Sequence, residues 1–117
     1  MMHNEKKLAN IVEELTMFFF AIGATDVRSL VQIKDCRGKI EFEADYKKEF
    51  EEKLGSLEKY LNEPKNEGLE DFYWELAGSG DPGETSQLLL VGMMIDKAEI
   101  KIDENRVKII LYKELDA

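Results

Sequence analysis

Apolar residues recur at Leu8, Ile11, Val12, Leu15, Phe19 and Ile22, three or four positions apart. That spacing lines one face of a helix, and it predicts a helix from Asn4 to Ile22 stopped at Gly23. Met17, Phe18 and Phe20 fall off the apolar face, so the final turns are apolar around much of their circumference. Another element covers these side chains, or they form an adhesive patch. Beyond Gly23 the period changes from helical to alternating. Val27 to Lys34 and Lys39 to Asp45 read as strands joined by a turn, Asp35-Cys36-Arg37-Gly38. Ile40, Phe42 and Ala44 alternate with Glu41, Glu43 and Asp45, which predicts one buried and one wet sheet face.

Tyr46, Phe50, Leu54, Leu57 and Leu61 then follow helical spacing up to Pro64, and Leu69, Phe72, Tyr73 and Leu76 suggest a short third helix. The clearest loop is Gly78-Ser79-Gly80-Asp81-Pro82-Gly83. Asp81 as N-cap, Pro82 in the first turn and Glu84 behind them are start signals for another helix. That helix is apolar on every side from Leu88 to Ile95 and is therefore expected at the centre of the fold, with Gly92 allowing close backbone approach. Ala98, Ile100 and Ile102, followed by Val107, Ile109 and Leu111, make a last hairpin around Asp103-Glu104-Asn105-Arg106. The sum is an α+β chain: a two-layer sandwich in which helices cover one face of a mainly antiparallel four-stranded sheet. Residues 1–117 are read as one domain.

Charge narrows the partners. Twenty-five acidic against 16 basic residues give a formal charge of −9, which argues against nucleic acid, since phosphate backbones need clustered Lys and Arg. A nucleotide would have to bring Mg²⁺ or find a locally positive pocket. The apolar stretches Met17 to Ala24 and Leu88 to Ile95 are too short to span a bilayer. The first residues lack the apolar run of a signal peptide, and the single cysteine, Cys36, allows no internal disulfide. A cytoplasmic protein with no membrane partner is expected. His3 has no second ligand candidate near it, and no Cys/His cluster or triad order is present.

A long helix running into Gly23-Ala24-Thr25-Asp26-Val27 and a hairpin, followed later by Leu88–Ile95 and a second hairpin, resembles the ATP-binding domain of the GHKL superfamily. That superfamily includes histidine kinases, anti-sigma-factor kinases and gyrase-type ATPases. The resemblance implies a Bergerat-like sandwich. It assigns Glu14 to the Glu of the family's first motif helix and Asp45 to the carboxylate that accepts a hydrogen bond from the adenine amino group. It puts the glycines Gly78, Gly80 and Gly83 near the phosphate loop, a potential anion site at a helix start.

Other positions depart from the family. Phe18 stands where an Asn holds Mg²⁺, and a phenyl ring offers a hard cation no oxygen. Lys47 stands where a Gly follows the adenine-binding Asp. Aligning Leu90-Val91 with the family's aliphatic pair sets Thr85 and Gln87 at its two Gly positions, and Asp81 and Glu84 would repel a phosphate there.

Plainer roles fit several of these residues. Phe18, Phe19 and Phe20 suit a core, and Trp74 suits a core or a lid. Cys36 reads as incidental, because only Arg37 is placed to activate it. Glu13-Glu14 reads as a solvated face, as do Glu49, Glu51 and Glu52. The leading expectation is a regulatory module with its ATP and Mg²⁺ site weakened or lost, acting through a protein partner and without cofactor. One rival is a divergent working ATPase or kinase that uses Asp45, Glu14 and the Gly78–Gly83 loop. Another is a homodimer formed through Met17 and Phe20.

Overall fold

The computed structural model describes residues 4–55, 57, 61–62 and 91–115. The first element is helix α1 (Asn4–Ala21), which ends where Gly23 takes a φ of +87°. Strands β1 (Val27–Lys34) and β2 (Arg37–Asp45) form the first hairpin. A 3-10 turn over Lys48–Phe50 leads into the short helix α2 (Glu51–Leu54); Leu57, Leu61 and residues 91–94 are also helical. The second hairpin consists of β3 (Lys97–Asp103) and β4 (Arg106–Glu114). Among the described residues, no helix is long and apolar enough to cross a membrane.

All strand pairings are antiparallel, in the order β1-β2-β4-β3, so the second strands of the two hairpins meet at the centre. The α+β architecture expected from the alternating pattern is therefore present. Ile40, Phe42 and Ala44 of β2 and Val107, Ile109 and Leu111 of β4 are buried on one face, alongside Leu8, Ile11, Leu15, Phe18 and Phe19 of α1. Tyr46, Leu54, Leu57, Leu61, Val91, Met94 and Ile95 complete the same core. Gly92 is buried with them. The opposite face carries Lys39, Glu41, Glu43, Lys108, Lys101 and Glu99, matching the alternation in β2.

Four expectations need correction. The first turn is shorter than expected: only Asp35 and Cys36 lie outside the strands, at φ of 52° and 61°. Both left-handed residues twist the chain to suit a two-residue hairpin, so Arg37 and Gly38 belong to β2. Gly38 serves packing instead, because a Cβ there would lie 2.8 Å from Leu8 Cδ2. Second, Phe20, which suited a core, is 58% exposed, and Met17 is 50% exposed, whereas Phe18 is buried at 1% as a core residue although its spacing set it off the apolar face. Third, Tyr46 precedes its helix; its ring is buried and its hydroxyl donates to the Asp103 carbonyl at 3.3 Å. Fourth, Glu14 is partly buried, unlike its exposed neighbour Glu13. Pro64, the Leu69–Leu76 segment, Trp74, the cap at Asp81, Pro82 and Glu84, and His3 lie outside the described residues.

Candidate functional site

Of the five residues singled out from sequence, Glu14 and Asp45 are described, whereas Gly78, Gly80 and Gly83 lie outside the described residues, as do Thr85 and Gln87. Asp45 ends β2, where the register sets it opposite Arg106. Its carboxylate reaches the turn between α1 and β1. Oδ1 accepts the N–H groups of Thr25 at 2.8 Å and Asp26 at 2.9 Å, and Oδ2 accepts the Thr25 hydroxyl at 2.7 Å. The Asp45 N–H in turn donates to the Asp26 carbonyl at 3.2 Å. Desolvation works to raise the Asp45 pKa, but the bonds from the Thr25 hydroxyl and from the N–H groups of Asp26 and Thr25 outweigh it. The carboxyl therefore titrates below its usual range. This side chain fastens the helix-to-strand turn.

Lys47 closes over the same turn: a Cβ on Gly23 would sit 2.8 Å from Lys47 Cδ. A short ion network that the sequence reading missed continues from here across the wet face. Arg28 donates from Nε to Asp26 Oδ1 at 3.1 Å, and Arg106 donates from Nε to Glu43 Oε1 at 3.1 Å. Arg106 also lies 3.8 Å from Asp26. The hydrogen bond from Arg28 holds the Asp26 carboxyl below its ordinary range, and the one from Arg106 does the same for Glu43. Strand register was the signal that could have revealed it, since Arg28 faces Glu43 and Arg106 faces Asp45 once the strands pair.

Glu14 is not joined to this network by any hydrogen bond or ion pair among the described residues. Burial raises its pKa, and repulsion from Glu13 adds to the effect. One turn on, Phe18 fills its surroundings with hydrocarbon. Its ring meets Phe19 edge-on at 5.1 Å, and Phe19 stacks on Phe42 at 5.4 Å. No oxygen ligand exists at Phe18, and among the described residues no three His, Cys, Asp or Glu side chains gather as a metal site.

The wet face of the sheet bears open concavities lined by described residues, two of them at its Arg37 end. One, of about 610 Å³, is bordered by Gln32, Lys34, Arg37, Lys39, Tyr112 and Glu114. The other, of about 450 Å³, shares Arg37, Tyr112 and Glu114 with it. Arg37 donates to Glu114 Oε1 from Nη2 at 2.9 Å, and Lys97 Nζ lies 5.9 Å from the centre of the Tyr112 ring. Around the two concavities Asp35, Asp96, Glu99 and Glu114 offset Lys34, Arg37, Lys39 and Lys97, so this face offers no concentrated charge to an anion.

Comparison of the chain with known protein families, with curated proteins and with solved structures gives no match in any of the three.

Proposed function

We propose that the chain is a regulatory module that works by binding another protein, built on a Bergerat-like scaffold whose ATP and Mg²⁺ chemistry has been lost. The observation that carries this reading is Phe18, 1% exposed in the core at the position where the resembled family needs a metal-binding Asn. An aromatic ring in that place supplies packing and no ligand. Two further features support the reading. Both Asp45 oxygens are engaged by Thr25 and Asp26, and the Lys47 stem crosses Gly23 where the family keeps its backbone clear for a nucleotide.

Protein contact is supported by the outer side of α1. Met17 and Phe20 are 50% and 58% exposed one turn apart, which is an apolar surface on a chain of net charge −9. That surface is the contact face for the partner. Calorimetric titration with Mg·ATP tests the loss of the site. No heat of binding is expected, and micromolar affinity would overturn the reading.

A further inference from the structure

The two outer strands of the sheet leave their free edges in different states. The Asp45 N–H bond to the Asp26 carbonyl shows which residues of β1 face β2: Asp26, Arg28, Leu30, Gln32 and Lys34. Val27, Ser29, Val31 and Ile33 therefore turn their N–H and C=O groups to the free edge, where no described strand pairs with them. This edge has no proline and no bulge, its register with β2 is unbroken, and Leu30, Val31 and Ile33 are 50%, 42% and 50% exposed. Sheet edges of this kind are templates for another strand unless guarded. The opposite edge is guarded. On β3 the outward N–H of Ala98 is taken by the Asn62 side chain at 3.1 Å, and Lys97, Glu99, Lys101 and Asp103 alternate charge along the strand.

We propose that β1 pairs antiparallel with β1 of a second copy of this chain, about a two-fold axis at Leu30, so that the two sheets become one. The sequence of the edge selects the occupant and the register. Centred on Leu30, the wet face sets Asp26 against Lys34 of the other copy, Arg28 against Gln32 and Leu30 against Leu30. On the covered face, Val27 meets Ile33 and Ser29 meets Val31, and these are the residues whose outward backbone groups form the new ladder. A shift to an axis at Val31 would set Arg28 against Lys34, two like charges, and Leu30 against Gln32. A two-fold contact must be complementary to itself, and the Leu30 register is.

Light scattering after size exclusion, over a concentration series of the full chain, should show the mass rising towards twice the 13.5 kDa of one chain. Val31→Pro removes an outward N–H and leaves the ladder to β2 intact, so it should give a monomer with an unchanged circular dichroism spectrum. Lys34→Glu turns two symmetry-related attractions into repulsions and should raise the dimer Kd about tenfold. In a Cys36→Ser background, Leu30→Cys should yield a disulfide-linked dimer under mild oxidation, because the two side chains meet at the axis, while Val31→Cys should not. The Leu30→Cys result decides the matter if Val31→Pro impairs folding. A monomer at every concentration, a dimer that survives Val31→Pro, stronger cross-linking through Val31→Cys, or dimerisation abolished by Phe20→Ser alone would each overturn the proposal.

Discussion

The two hairpins begin from the same pattern of alternating residues and are held in the fold by different means. The first is fastened to α1 at both ends. At its turn end Leu8 descends onto Gly38, and at its open end the Asp45 carboxylate grips Thr25 and Asp26. Among the described residues, the second is held by strand pairing of β4 with β2, by the buried Val107, Ile109 and Leu111, and by the Tyr46 hydroxyl on Asp103. Contacts close in sequence thus build one unit from α1, β1 and β2, whereas the second hairpin attaches through pairings distant in sequence. Local contacts of the first kind cost less loop entropy to form.

The sharpest way to break this contrast is Gly38→Ala. A Cβ 2.8 Å from Leu8 Cδ2 and 3.1 Å from Cδ1 meets a side chain that is itself buried and cannot swing aside. A loss of about 1–2 kcal/mol is expected in denaturant melts. Adding Leu8→Ala should make the alanine at 38 tolerable, a coupling that a double-mutant cycle would read.

At the other end, Asp45→Asn weakens the acceptors of the turn and should cost about 1 kcal/mol at neutral pH, after allowance for solvent screening. The sign of its pH dependence follows from the depressed pKa of Asp45. The folded state favours the ionised form, so the stabilisation is full above the ordinary carboxylate range and fades as pH falls through the folded pKa. Melts repeated in progressively more acid buffer, below the ordinary carboxylate range, should narrow the gap between the variant and the parent.

The turns differ as well. Cys36 holds a φ of 61°, which a side chain disfavours, and Cys36→Gly should stabilise by about 0.5 kcal/mol. Asn105, at 63° in the second turn, should gain less from the same change, since Asn accepts that region more readily. The smallest effect is expected at Glu14→Gln. Burial raises the Glu14 pKa, so its ionisation opposes folding as pH rises through that value. The variant should melt slightly higher at pH 7, by a few tenths of a kcal/mol, and show no advantage in acid.

Much of the framework was legible because it rests on short-range periodicity. Leu8, Ile11, Leu15 and Phe19 marked the buried face of α1, and Ile40, Phe42 and Ala44 marked that of β2. The hairpin over Asp103–Arg106 also falls where its residues indicated. The candidate site was less legible. Asp45 was recognisable as a carboxylate at a strand end, but its partners lie some twenty residues earlier and depend on how α1 turns into β1. Phe18 fell outside the apolar stripe by spacing, yet it is as buried as Leu8, because a core formed on more than one side of the helix broadens that stripe.

By itself, then, the sequence determined the helix, the two hairpins and the identity of one wet and one dry face, since each follows from the period of neighbouring residues. Only the tertiary structure decided that β2 and β4 share the centre of the sheet, that Gly38 is a packing residue, and that Asp45 closes a turn. Those outcomes depend on distances between segments far apart in the chain, and no local pattern encodes such a distance.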